Sequence, residues 1–293
     1  MQDFSTSHGL GSDMPGTAKR LIGAVACALA CASAHAITEL PSCFAANRME
    51  VPPDPARLHL WVLVDETTPM TERLRQAAWR SVEPLVLPGT AYAVYGFSAY
   101  SQQRYTTLAA WGVIEQPIAA ATRRSISLKK LKTFDSCMRD QAGFAVTHVQ
   151  QAMLGLTERA TSELARSDVM ASLKSISTVV KQSKAPERVV VVVSDMLENS
   201  SVSSFYQKQV VRRIDPEAEL AKVEKEGLLG DFGGARVYVF GAGLLGDDVR
   251  ANKAAYRDPR SMQALERFWS GYFRKSGATL LEFGKPELLN AVQ

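Results

Sequence analysis

The stretch RVVVVVSD, residues 188–195, contains five consecutive valines and ends in a serine and an aspartate. An uninterrupted run of β-branched residues is typical of a central parallel strand that is covered on both faces. A second apolar stretch, LHLWVLVD at residues 58–65, also ends in an aspartate. Because functional sites of open α/β sheets lie beyond the carboxyl ends of the strands, the two acids predict a site at that edge.

On either side of these two stretches, strand-like and helix-like segments alternate along the chain. Apolar runs of strand length recur at 58–64, 91–97, 105–114, 188–193, 235–240 and 278–283, and helical periodicity is found at 74–85, 148–164, 169–181, 216–228 and 261–275. This alternation predicts an α/β fold of the Rossmann-like, three-layer kind, in which a mostly parallel central sheet carries helices on both faces.

The composition is that of a globular protein. The chain has 293 residues, of which 46% are hydrophobic and 22% charged, which excludes a disordered, collagen-like or coiled-coil chain. The formal net charge of +4 is too small for a dense basic face, so we expect no nucleic-acid partner.

The first 36 residues have the pattern of a secretory signal. Lys19-Arg20 precedes an apolar run from Leu21 to Ala34, and Ala34-His35-Ala36 ends it. The run is shorter than the roughly 20 residues of a spanning helix, and no later segment spans a membrane. We expect cleavage after Ala36 and a periplasmic or secreted protein that begins at Ile37. A buried helix, or a lipid anchor at Cys31, is the alternative.

Residues 37–57 contain four prolines and are predicted to form an irregular lead-in to a domain at 58–293. Signal cleavage leaves two cysteines, Cys43 and Cys137. In an exported chain such a pair favours one disulfide, and two free thiols are the alternative.

The stretch 118–146 is predicted to be a basic insertion in this domain. Its cations outnumber its acids; they are Arg123, Arg124, Lys129, Lys130, Lys132 and Arg139. A cluster of this kind is either a solvated face or a surface that docks a partner.

The stretch DETTPM, residues 65–70, resembles the D-x-S-x-S motif of von Willebrand factor A (vWA) domains. Asp65 matches the aspartate, Thr67 stands for the first serine, and Met70 matches a common methionine. The resemblance extends over roughly residues 58–285 and includes the Phe-Ser end of the second strand at 94–98, Thr147, the strand 189–195, the Gly-x-Gly at 241–243, and the closing helix and strand within 265–283.

The resemblance implies a metal-ion-dependent adhesion site with Asp65, Thr67, Thr147 and Asp195 as the metal ligands. Pro69 occupies the place of the second serine, so the site is expected to be degenerate. Thr68, the nearest spare hydroxyl, is expected to point away. The site then either binds Mg²⁺ weakly, or is a relic in which Asp65 and Asp195 cap helices.

The function implied is that of an exported protein–protein interaction module, a candidate part of a bacterial envelope or of a secretion or conjugation assembly. Docking would take place through the crevice at the strand ends, with another envelope protein as partner. The alternative is a metal-dependent enzyme that uses the same crevice.

Other motifs give little support to catalysis. GAGLLG at 241–246 has the form G-x-G-x-x-G, but it lies near the C-terminus and no strand ending in an acid follows about 20 residues later. His59 and His148 are the two histidines after residue 36, and the chain has no nucleophile or zinc-protease motif. We therefore expect no catalytic residues and no cofactor other than weakly bound Mg²⁺.

Overall fold

The protein is built around a six-stranded sheet. A computed structural model describes residues 40–52, 56–98, 106–161, 167–207, 210–245 and 258–293. Its strands are β1 (Leu58–Asp65), β2 (Thr90–Phe97), β3 (Thr106–Val113), β4 (Glu187–Val193), β5 (Tyr206–Gln207), β6 (Val210–Val211), β7 (Arg236–Phe240) and β8 (Thr279–Phe283). The sheet has the order β3-β2-β1-β4-β7-β8, and β5 and β6 form a separate hairpin. β3 is antiparallel to β2, and the other neighbours are parallel.

Helices cover both faces of this sheet. They are α1 (Cys43–Ala46), α2 (Glu72–Val82), α3 (Ala120–Arg123), α4 (Leu128–Arg159), α5 (Val169–Gln182), α6 (Pro216–Lys225) and α7 (Pro259–Lys275), with a 3-10 turn at Glu83–Leu85. None of the helices within the described ranges has the length and apolarity that a membrane crossing requires. The predicted signal at 1–36, including Cys31, lies outside the described residues, and residues 37–293 form a compact unit of their own.

The strand β4 is central, as its valines predict. Val190 and Val192 pack with Trp61 of β1 and with helices α5, α6 and α7 on one face. Val189, Val191 and Val193 pack on the other face, where α2 and α4 lie. Strands β1 and β7 flank β4 in parallel. The predicted mostly parallel, three-layer α/β fold is confirmed.

The stretch 118–146 belongs to the helical framework of the domain. It contains α3 and the first half of α4, a helix of 32 residues that Ser127 caps. The helix expected to begin at 148 therefore begins at Leu128. The physical reason is a separate apolar cluster, in which the buried side of the first half of α4 packs against α1 and the segment between β3 and α3. Its buried members are Cys43, Phe44, Ile118, Leu131, Phe134 and Met138.

The disulfide between Cys43 and Cys137 is present, with 5.7 Å between the Cα atoms, and this prediction is confirmed. It joins α1 to the first half of α4. The buried carboxylate of Glu115 reinforces the link, because it accepts hydrogen bonds from the Ser42 hydroxyl and from Cys43 N at 2.7 Å. Residues 40–47 are thus fixed to the domain, although they were expected to be irregular.

Removal of the disulfide should destabilise the protein markedly. The cysteines are 94 residues apart, so the cross-link lowers the entropy of the unfolded chain by an amount that corresponds to about 4 to 5 kcal/mol. We expect Cys43→Ser/Cys137→Ser to lower the free energy of unfolding in urea by about that amount. Reduced wild type is the matched control. Equal unfolding midpoints for the oxidised protein and the variant would contradict this account.

Candidate functional site

The candidate site lies at the carboxyl edge of β1 and β4, where the strand order changes direction. Asp65 is the last residue of β1, and Asp195 follows β4 by two residues. The two side chains are almost completely buried, with exposed fractions of 1% and 4%. Buried carboxylates must find hydrogen-bond donors, so the surroundings of each determine what the site can do.

Asp65 receives hydrogen bonds from its own loop and from β4. Its Oδ1 accepts from Thr67 N at 2.9 Å and from Thr67 Oγ1 at 2.6 Å. Its Oδ2 accepts from Ser194 Oγ at 2.7 Å, and Ser167 Oγ lies 3.5 Å away. The sheet register explains the Ser194 contact, because Val64 pairs with Val193 and the next residues are Asp65 and Ser194. The carboxylate therefore ties together the ends of the two central strands.

Asp195 is held by the loops around it. Its Oδ1 accepts from Leu197 N at 2.8 Å, and its Oδ2 accepts from the Tyr206 hydroxyl at 2.7 Å. Its backbone N–H donates to Thr68 Oγ1 at 3.1 Å. Thr68 therefore points into the site, and the expectation that it points away is wrong. The physical reason is that the loop after β1 places the Thr68 hydroxyl against the backbone of the loop after β4.

The two glycines of the Gly-x-Gly at 241–243 lie at this edge of the sheet and contact the backbone of the loop after β4. Gly243 N donates to the carbonyl of Asp195 at 2.9 Å. Gly241 has φ +103°, and a Cβ there would lie 3.0 Å from the carbonyl oxygen of Ser194. The pattern thus allows a close backbone approach beside the site. Gly246, the last residue of the formal G-x-G-x-x-G, lies outside the described residues.

Burial disfavours negative charge on both carboxylates. Desolvation raises the pKa of Asp65 despite its hydroxyl partners. Desolvation, followed by the charge of Asp65, raises the pKa of Asp195 to about 8. Within the described ranges, neither carboxylate forms a salt bridge with a lysine, arginine or histidine. Burial and the charge of Asp65 therefore oppose ionisation of both carboxylates at once and favour a proton on Asp195.

The structure brings Asp65, Thr67 and Asp195 together but leaves Thr147 apart from them. Thr147 is exposed in the middle of α4, where its hydroxyl donates to the carbonyl of Gly143 at 3.1 Å. The expected role fails because α4 begins 19 residues before Thr147 and not at it.

The helix-capping alternative also fails within the described helices. The helix α2, which follows Asp65, is capped by the Thr71 side chain. The carboxylate of Asp195 accepts from Leu197 N in a non-helical loop. Both acids thus belong to the strand-end network and cap no described helix.

Sequence reasoning missed four members of this network: Thr68, Ser167, Ser194 and Tyr206. Ser194 had a detectable signal, because it stands next to Asp195 at the end of the valine run. Tyr206 had none, since a turn at 198–205, closed by hydrogen bonds from Ser200 N to Ser203 O and from Phe205 N to Glu198 O, brings it back to Asp195 from 11 residues along the chain.

The oxygen atoms of this network are of the kind that a hard cation such as Mg²⁺ takes as ligands. Asp65, Thr67 and Asp195 would hold the ion, with Thr68 and Ser194 beside them. Two features weaken the fit: Pro69 offers no hydroxyl, and the Tyr206 hydroxyl occupies Oδ2 of Asp195. The described residues contain no group of three or more His, Cys, Asp or Glu side chains that could bind a metal.

No protein-family model and no curated protein matches the sequence. Among solved structures, an aerotolerance-related membrane protein from Bacteroides fragilis is 11% identical (78% of this chain, 92% of that chain, TM-score 0.35). BatB from Bacteroides thetaiotaomicron is 10% identical (77% and 90%, TM-score 0.34). The PilB minor pilin from Streptococcus sanguinis is 11% identical, and the match covers 80% of this chain but only 58% of the pilin (TM-score 0.40). At such low identity these structures are no guide to the function of this chain.

The raised pKa of Asp195 makes stability depend on pH. Between about pH 4 and pH 8 the native state holds a proton that the unfolded chain releases, so stability falls as the pH rises, by on the order of 1 kcal/mol per pH unit. Asp195→Asn removes this titration. The variant should gain stability relative to wild type steadily from pH 4 to pH 8.

Urea unfolding at several pH values measures this difference. Glu198 and His59 do not interact with Asp195, so the raised pKa of Glu198 and the lowered pKa of His59 cancel in the comparison. The difference therefore reports the titration of the coupled pair Asp65 and Asp195. A difference that is constant with pH would show that Asp195 is ionised in the native protein.

Proposed function

We propose that the chain is an exported protein–protein interaction module of the vWA type, which docks through the loops at the carboxyl edge of β1 and β4. The observation that carries the proposal is the buried pair Asp65 and Asp195, whose hydrogen bonds tie these loops together at the point where the strand order reverses. The three-layer fold, a mostly parallel sheet with helices on both faces, agrees with the resemblance to vWA domains. The disulfide favours export.

The accessible part of this edge is polar and suits recognition of another protein. Thr67, Pro69 and Thr71 are partly exposed on the loop after β1, and Ser200 and Ser201 are accessible on the loop after β4. Hydroxyl groups of this kind donate and accept hydrogen bonds at an interface. The hydrogen-bonded carboxylates beneath them hold the two loops in one arrangement, which lowers the entropy lost on binding.

The same geometry argues for a non-enzymatic role. The carboxylates are the strongest potential catalysts at this edge, but they are almost fully buried, and Tyr206 covers Asp195. A substrate would have to displace that hydroxyl to reach Asp195. The hydrogen-bond partners of the pair are hydroxyls and backbone N–H groups, which are not general bases at neutral pH.

We also propose that the site retains weak affinity for Mg²⁺. Asp65, Thr67 and Asp195 are in place as oxygen ligands, and a bound ion would supply the positive charge that the pair lacks. Binding competes with the proton on Asp195 and with the hydrogen bond from Tyr206, and Pro69 removes one ligand.

Measurement of the affinity for Mg²⁺ tests the weak-site proposal directly. Calorimetry on residues 37–293 should give a dissociation constant for Mg²⁺ no tighter than about 1 mM, which corresponds to about 4 kcal/mol. Pro69→Ser should bind more tightly because it restores a hydroxyl. Pro69→Ala is the control, since it removes the ring without adding a ligand. Micromolar binding by wild type, or equal gains in both variants, would refute the weak-site proposal.

The docking edge can be tested with one exposed serine. Residues 37–293, immobilised and exposed to native envelope extracts, should retain a specific protein that mass spectrometry identifies. Ser201→Arg places a bulky cation on the β4 loop and should weaken capture at least about tenfold, or 1.4 kcal/mol. Ser270→Arg makes the same change at an exposed position on α7 and should leave capture intact. Equal losses in both variants would assign the interface elsewhere.

A further inference from the structure

The first half of α4 presents an exposed face of cations and one leucine, which we call the basic face: Leu128, Lys129, Lys132 and Arg139, with Arg124 just before the helix. All five are exposed. At 100° per residue, Leu128, Lys132 and Arg139 lie within about 40° of one another around the helix, and the side chains from Lys129 to Arg139 span about 15 Å along it. Lys129 lies at the edge of this face, and the partly exposed Asp135 lies within it between Lys132 and Arg139, so the face is predominantly basic.

The net positive charge of the chain is matched by this one segment, because the remaining 28 cations and 28 acids balance each other. Residues 118–146 contain six cations and two acids, an excess of four that equals the formal net charge of +4 of the entire chain. One acid, Asp135, is neutralised by two hydrogen bonds from Arg123, at 2.8 and 2.6 Å. The other acid, Asp140, is exposed next to Arg139. Within the described residues, Lys129, Lys132 and Arg139 form no salt bridge, although the charge of Arg139 helps to lower the pKa of Asp135.

The placement of these residues does not serve the stability of the helix. The first turn of α4 contains Lys129 and Lys130 and no acid, although the positive end of the helix dipole favours acids there. In the same turn, Leu128 is 85% exposed and contributes nothing to the apolar cluster on the other side of the helix. These cations and the Leu128 side chain are thus exposed to solvent, and they do not add to the stability of the fold.

The basic face is also rigidly supported. Beneath it, the disulfide joins α4 to α1, and Leu131, Phe134 and Met138 fill the cluster between them. Lys130 Nζ donates to the carbonyl of Arg48 at 3.2 Å, which adds a further link to the segment after α1. A partner would meet a preformed array of charges and would not have to order it.

We propose that the basic face docks on the surface of an anionic phospholipid bilayer. The convex side of a helix, with cations that form no described salt bridge over about 15 Å, matches a broad layer of phosphates, and lysine and arginine stems let the charge reach the headgroups. Leu128, beside the cations, can enter the boundary between headgroups and acyl chains. This surface is separate from the strand-end docking loops, so it would orient the module at a membrane while those loops bind a protein.

Vesicle sedimentation tests the proposal with residues 37–293, which lack the apolar run at 21–34. The protein should bind vesicles of phosphatidylcholine mixed with phosphatidylglycerol, should not bind phosphatidylcholine alone, and should dissociate at high salt. Each cation near the surface contributes about a fivefold factor. Lys129→Glu/Lys132→Glu/Arg139→Glu should therefore reduce partitioning at least about 100-fold.

Matched variants distinguish binding through the basic face from nonspecific attraction between any cationic protein and anionic vesicles. Arg80→Glu/Lys184→Glu/Lys225→Glu makes the same change in net charge at three exposed cations elsewhere and should reduce partitioning far less. Leu128→Ser should weaken binding about tenfold, whereas Leu289→Ser, at a leucine 93% exposed, should not. Circular dichroism and thermal unfolding verify that each variant is folded.

Three results would overturn the proposal. The first is that wild type fails to bind anionic vesicles at low salt. The second is that the two triple variants lose binding equally. The third is that a glutamate-rich peptide binds the basic face while vesicles do not, which would assign the face to an acidic protein.

Discussion

The hydrogen bond from Ser194 to Asp65 joins the ends of the two central strands, and the loops of the carboxyl edge depend on it. Asp65 cannot be buried at the end of β1 without donors, because an unpaired carboxylate in an apolar surrounding is strongly unfavourable. Ser194 and Thr67 supply those donors, and Thr68 then reaches the backbone of Asp195. The hydrogen-bond donors that the buried Asp65 carboxylate requires therefore set the direction of the chain after β1 and after β4.

Much of the fold could be predicted from the sequence because its signals are local. The five valines of β4 and the apolar run of β1 indicate that both strands are buried. β1 ends in the predicted Asp65, and the predicted Asp195 follows β4 by two residues. The disulfide could be predicted because the chain has only two cysteines after the predicted signal. These inferences needed no knowledge of which elements meet in space.

The failures concern residues whose roles are decided by distant contacts. The start of α4 depends on packing of Phe134 against Phe44, 90 residues away, and the exposed lysines of that segment conceal its apolar side. Thr147 was misplaced for this reason alone. Tyr206 reaches Asp195 only because the turn at 198–205 reverses the chain before β5, and no periodicity in the sequence marks that contact.

The carboxylate pair can be neutralised in two ways, and the surrounding residues favour one of them. A proton on Asp195 needs no additional ligand, and burial together with the charge of Asp65 favours it, whereas the hydrogen bonds from Tyr206 and Leu197 N favour the ionised carboxylate. A hard cation would need the oxygen atoms that these hydroxyl groups now occupy, and Pro69 cannot replace them. Desolvation raises the pKa of both acids and so supports the proton over the ion. The residues that make this edge resemble a metal site therefore already hold the two loops together through their own hydrogen bonds.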